Sequence, residues 1–85
     1  MAVIMCWHVY VLKSLKDNSR YVGITSNIYR RLQEHNSGKS KYTKGHAPYK
    51  IVYQEKFLNR NLARDREKYF KSGHGRADLD KLIPL

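Results

Sequence analysis

The chain predicts an α+β domain of order β-β-α-loop-β-α. Three observations carry that class: two short strand patterns separated by a polar turn, an Asn-capped helical stretch directly after them, and a third strand leading into a longer helical stretch. The 85 residues allow a single domain, taken as 1–85, that buries only about 60–65% of its unfolded surface. The opening hairpin argues against the parallel sheet that β-α-β units build.

Trp7 to Leu12 is rich in aromatic and β-branched residues, with Val9 and Val11 alternating against His8, Tyr10 and Leu12, and reads as a buried strand. The cluster Lys16-Asp17-Asn18-Ser19 turns the chain, and Arg20 to Thr25 returns as the second strand of an antiparallel hairpin. Thr25, Ser26 or Asn27 offers an N-cap for a helix to about Asn36, with Gly38 as its stop and Ile28 and Leu32 as its apolar stripe. Residues 37–50, punctuated by Gly38, Gly45 and Pro48, form a loop with room for a short helical turn. Ile51 to Phe57 alternates again and gives the third strand. Asn59 or Asn61 caps a longer helix through Lys71, ended by Gly73 and Gly75, and Ala77 to Leu82 adds a final turn before Pro84.

The apolar start has no preceding basic stretch and is far short of the ~20 residues that cross a bilayer, so it reads as a lead into the first strand rather than an export signal. Cys6 has no second cysteine to pair with, which points to a reducing, intracellular (cytoplasmic) setting.

Charge narrows the partners. Seventeen Lys and Arg oppose seven Asp and Glu, a formal +10. Such an excess favours a polyanion, either nucleic acid or an anionic membrane surface. It is also localised: six basic residues oppose one acidic residue in 30–50, and six oppose two in 60–76. The acid-free run with Lys39, Lys41, Lys44 and Lys50, together with Arg60, Arg64, Arg66, Lys71 and Arg76, is suited to tracking a phosphate backbone. Tyrosines interleaved with those lysines, such as Tyr42 and Tyr49, suit base stacking or serve equally as core residues with a wet hydroxyl.

Two helical positions stand out. With Ile28 at the origin, Leu32 falls at about +40°, His35 at about −20° and Arg31 at about −60°. Arg31 and His35 therefore stack one turn apart at the edge of the apolar stripe. There they either cover that edge or present a guanidinium to a phosphate. With Leu62 at the origin of the second helix, Phe70 falls at about +80°, Ala63 at about +100° and Glu67 at about +140°. Glu67 then either points into the same cleft or pairs with Lys71, four residues on.

Val9-Tyr10 in the first strand and Tyr21-Val22-Gly23 in the second resemble the two halves of the GIY-YIG motif. The stretch YVGITSNIYRRLQEHNSG, with Thr25, Asn27, Arg31 and His35, is similar to that superfamily's continuation. Lys41-Tyr42-Thr43-Lys44 before Pro48, and Ala63, Glu67 and Lys71 followed by Gly75-Arg76, are similar to its small stand-alone bacterial members, relatives of the excision-repair incision nuclease domain. The resemblance covers about residues 8–76. His8 replaces the motif's first glycine, Ile24 stands where some branches carry lysine, and Leu79 lies near where some carry asparagine.

The resemblance implies a three-stranded antiparallel sheet flanked by helices and a divalent-metal-dependent DNA endonuclease, directed by DNA structure rather than sequence, in repair or recombination. It implies Tyr10, Tyr21, Arg31 and His35 as the catalytic set and Glu67 as the carboxylate for one Mg²⁺ or Mn²⁺. A single carboxylate suits an ion that keeps much of its hydration. On this reading Arg31 binds the phosphate and Tyr21 orients water or phosphate. The general base is either Tyr10 or His35: a phenol of ordinary pKa about 10 must be shifted to serve, whereas an imidazole of about 6.5 need not be. The implied partners are DNA and a targeting protein, with no membrane. The alternative is a non-catalytic nucleic-acid-binding module on the same fold. A basic protein-interaction or membrane-surface domain ranks third, since no membrane-inserting amphipathic helix is visible.

Overall fold

The computed structural model describes residues 6–41 and 43–83; the expectations placed on residues 1–5, on Tyr42 and on Pro84 lie outside the described residues. Strands β1 (Trp7–Ser14) and β2 (Arg20–Thr25) are followed by helix α1 (Ile28–Asn36), a 3-10 turn (Lys44–His46), strand β3 (Tyr49–Phe57), helix α2 (Arg60–Phe70) and helix α3 (Gly73–Leu82). The sheet is antiparallel with order β2-β1-β3. Its central strand is covered on both faces, which is why the run from Val9 to Leu12 is continuously apolar rather than half polar.

Strand periodicity splits that run between two cores. Tyr10 and Leu12 pack with Ile28, Leu32 and Tyr49 on the α1 side. Val9 and Val11 pack with Val22, Ala63, Phe70 and Leu79 on the side of α2 and α3. The register sets Tyr10 opposite Gly23, Val11 opposite Val22 and Leu12 opposite Tyr21. Between β1 and β3 the pairing steps from Val11–Tyr53 to Leu12–Ile51, so Val52 is a bulged residue. The unbroken alternation expected of the third strand is interrupted there.

The helix starts follow capping chemistry. The Asn27 side chain accepts from the Arg30 N–H at 3.0 Å, and Asn59 accepts from Leu62 N–H at 3.0 Å. Gly38, at φ 81, supplies the left-handed residue after α1.

Gly73 and Gly75 do not end the chain's helical part. Ser72 accepts from the Gly75 N–H at 3.2 Å and caps a third helix, so both glycines sit in its first turn. A Cβ on Gly75 would lie 1.7 Å from the Tyr69 carbonyl oxygen, so that glycine permits the close turn of α3 back onto α2. The element order is therefore β-β-α-β-α-α. The buried stripe of α2 also centres on Ala63 and Phe70 rather than Leu62, which is 47% exposed. That rotation moves Glu67 nearer the protected side.

No helix among the described residues is long and apolar enough to cross a membrane. Cys6 is half-buried at the start of β1.

Candidate active site

The strand register creates the site. Because Tyr10 faces Gly23 directly, its ring lies over a residue with no side chain: a Cβ at Gly23 would meet the Tyr10 hydroxyl oxygen at 2.6 Å and Tyr21 Cε1 at 2.9 Å. The two tyrosine rings sit side by side with centroids 6.2 Å apart. α1 then brings two residues to the Tyr10 hydroxyl from one edge, one turn apart. Arg31 hydrogen-bonds it, and His35 Nε2 lies 3.0 Å away. His35 also packs on Tyr21 with ring centroids 4.9 Å apart. Arg31 makes a further ion pair with Glu34 at 3.7 Å, leaving its side chain partly exposed.

Behind the histidine stands Thr43, whose Oγ1 is 2.7 Å from His35 Nδ1. Thr43 and His35 are both 0% exposed. The segment carrying Thr43 is tied down at both ends. Asn36 bonds the Tyr49 backbone N–H and C=O at 2.6 and 3.2 Å, and the Ser14 hydroxyl donates to the His46 carbonyl at 2.5 Å.

α2 is fastened from β3 by a two-pronged ion pair, Arg66 Nε and Nη2 to the Glu55 carboxylate at 2.8 and 3.1 Å. Arg66 lies over the Phe70 ring, 4.3 Å from its centroid. This arginine is thus part of the packing rather than of a phosphate track. Its neighbour Glu67 has a side chain 19% exposed and is paired with Lys71 Nζ at 3.2 Å. Both roles expected of Glu67 are realised together, because its carboxylate also acts electrostatically on Tyr10.

These surroundings set the protonation states. Burial pushes the Tyr10 phenol up to about 12, with the neighbouring Tyr21 and the Glu67 charge adding to the rise and Arg31 opposing it. Burial likewise holds His35 below its ordinary value, and the Arg31 charge deepens the effect. The histidine is therefore neutral at neutral pH.

The expected phosphate-binding residues fall into two groups. Lys39, Lys41, Lys44 and Lys50 are exposed on and after the loop that carries Thr43, and Arg64 is exposed on α2. Lys71 and Arg76 instead wall a groove of about 450 Å³ along β2, together with Arg20, Tyr21, Val22 and Leu79. Arg20, ion-paired with Asp80, is a basic residue of this groove that sequence reasoning passed over. Thr43 is the other omission. Its only sequence signal was a hydroxyl in a basic segment, and burial cannot be read from that.

Comparison with known proteins agrees in sequence and in fold. Residues 6–80 match the GIY-YIG catalytic domain model. A UPF0213 protein of Clostridium perfringens is 48% identical over 65 residues, covering 75% of this chain and 69% of that protein. A UPF0213 protein of Natronomonas pharaonis is 40% identical over 77 residues, covering 89% of this chain and 88% of the relative. The solution NMR structure of the UPF0213 protein BH0048 from Bacillus halodurans aligns with a TM-score of 0.56 at 36% identity, covering 92% of this chain and 85% of that one.

Proposed function

The chain belongs to the GIY-YIG catalytic domain family, whose members are in general nucleases, and on that premise we propose that it is a divalent-metal-dependent endonuclease that hydrolyses DNA phosphodiester bonds. One observation carries the proposal: the Tyr10 hydroxyl is held by Arg31 and His35 within the field of the Glu67 carboxylate, beside Tyr21. Four groups suited to proton transfer and anion binding meet on one oxygen, although they come from three separate elements.

The donor set fits a hard, hydrated cation. Among the described residues no three His, Cys, Asp or Glu side chains gather into a cage, and the one carboxylate at the site is partly open. Mg²⁺ and Mn²⁺ accept such sparse protein ligation because water and phosphate oxygens complete their shell. Glu67 would hold the ion, which when bound supplies charge neutralisation and a more acidic water. The Lys71 side chain, 52% exposed, is free to leave the carboxylate for a phosphate oxygen.

The remaining roles follow from placement. Arg31 keeps its charge at any working pH and offers a planar fork to the scissile phosphate and to the charge that builds on it. Tyr10 is the group positioned to move a proton. Its raised pKa demands an opposite charge nearby, which Arg31 and a cation on Glu67 would provide. His35, fully buried, acts through Tyr10 and not on substrate. Tyr21 borders both the tyrosine pair and the basic groove, a place from which it can orient water or phosphate. No helix is laid out for the major groove and the basic residues are dispersed, which favours recognition of DNA structure and fits a role in repair or recombination.

The test is incubation with Mg²⁺ or Mn²⁺ on nicked, flap, branched and linear DNA beside Glu67→Ala. Loss of cleavage by ~100-fold or more with DNA binding retained is expected. Cleavage unchanged in Glu67→Ala refutes the mechanism. Binding by both proteins with cleavage by neither makes the chain a binding module on a nuclease fold.

A further inference from the structure

A run of four buried or half-buried groups leads away from the proposed cleavage site: Arg31, the Tyr10 hydroxyl, the His35 ring and the Thr43 hydroxyl. Arginine can only donate, so the Tyr10 oxygen accepts from Arg31. The ring between Tyr10 and Thr43 is neutral, buried beside the Arg31 and Glu34 charges, and carries one hydrogen. Two arrangements are possible, and each leaves one hydroxyl hydrogen over.

With the hydrogen on Nδ1, His35 donates to Thr43 and Tyr10 donates to Nε2. The Thr43 hydroxyl hydrogen is then left over. Thr43 is 0% exposed, and among the described residues His35 is its hydroxyl's hydrogen-bond partner, so this donor would be buried without an acceptor. Such a group costs about 1–3 kcal/mol.

With the hydrogen on Nε2, Thr43 donates to Nδ1 and His35 donates to Tyr10. The surplus hydrogen then sits on the Tyr10 hydroxyl, the end of the chain that lies over Gly23 and feels the Glu67 carboxylate. Water or a phosphate oxygen at the cleavage site can accept it there.

We propose that Thr43 is a positioning residue that holds His35 in the Nε2–H tautomer, so that Tyr10, and not His35, exchanges a proton with the cleavage site. The inference rests on the nuclease reading for what that site does. When the Tyr10 hydroxyl hydrogen passes to an acceptor in the site, the phenolate left behind keeps two donors, Arg31 and His35 Nε2–H, and His35 gives up nothing. Donors to the charged form are what make a buried phenolate reachable. The open choice between Tyr10 and His35 as the proton-transfer group is settled by a hydroxyl eight residues beyond the histidine.

Nitrogen-15 NMR of the His35 ring in the wild-type protein, Thr43→Ser and Thr43→Val tests this. The wild type and Thr43→Ser are expected to carry the hydrogen on Nε2, and Thr43→Val to lose that preference. Thr43→Ser should cleave DNA within about 3-fold of wild type, and Thr43→Val should lower kcat by ~10-fold or more with KM little changed. A wild-type ring protonated on Nδ1 overturns the proposal, as does a folded Thr43→Val whose tautomer is unchanged. If Thr43→Val fails to fold, the wild-type and Thr43→Ser spectra still decide. An Nε2–H ring in a protein that cleaves no DNA keeps the tautomer assignment and removes the nuclease reading.

Discussion

Gly23→Ala should damage this protein more than any other single methyl added to its described glycines outside α3. The new Cβ would lie 2.6 Å from the Tyr10 hydroxyl oxygen, 2.7 Å from Cζ and 2.9 Å from Tyr21 Cε1. An ordinary contact needs about 3.4 Å or more, so the Tyr10 ring must retreat by about 0.8 Å. It has nowhere to go, because Tyr10 is 1% exposed and its hydroxyl is bonded to His35 at 3.0 Å and to Arg31. Overpacking of this kind costs about 1–3 kcal/mol, and losing a buried hydrogen bond adds about 1–3. A net loss of about 3 kcal/mol is expected, a large part of the roughly 4–13 kcal/mol that a domain of 85 residues possesses. Thermal unfolding followed by circular dichroism should show Tm lowered by about 15 °C. The control is Gly73→Ala, where an added Cβ meets nothing within 4 Å inside a helix. It should leave Tm unchanged or raise it, by up to about 1 kcal/mol of stability. If Gly23→Ala melts within 2–3 °C, on the order of 0.5 kcal/mol, of wild type, the packing argument for the site is wrong.

Salt and pH give two further tests. If about five phosphates are neutralised, log K for DNA should fall against log salt with a slope of about −4.5, and Arg76→Ala should reduce it to about −3.6; a wild-type slope near zero removes the nucleic-acid reading. His35 has a lowered folded-state pKa, so the unfolded chain takes up its proton first. Its contribution is fully present above the ordinary value of about 6.5 and is lost as pH falls from there toward the folded pKa, at no more than ~1.4 kcal/mol per pH unit. Urea unfolding between pH 7.5 and 5.5 should show this decline, and His35→Gln should flatten it; an unchanged slope in the variant assigns the decline elsewhere.

Much of this molecule was legible along the chain because the signals are local. Arg20 to Thr25 was bounded by its polar turn and by the residues that cap the next helix, and Asn27 and Asn59 cap the helices as their chemistry requires. The paired tyrosines, Arg31, His35 and Glu67 were identified by spacing and resemblance. Helix geometry left the alternatives for Arg31 and Glu67 open, since a wheel shows neighbours on one helix and nothing of what faces it.

What remained was decided by contacts between distant residues. Two glycines ordinarily end a helix, yet here Gly75 lets α3 begin against the carbonyl of Tyr69. Leu62 is apolar but exposed, because Ala63 and Phe70 are the residues that meet β1 and β2. Thr43 carries no sequence mark of importance. Its hydroxyl acquires a role only when a loop closed by Asn36 and Ser14 buries it against His35. The sequence by itself determined the strands, the caps and the chemical inventory, since each depends on residues within a few positions. Tertiary structure alone decided which hydroxyl holds which tautomer and which face of α2 carries Glu67, because burial and hydrogen-bond order belong to the packed assembly of elements and to no single one of them.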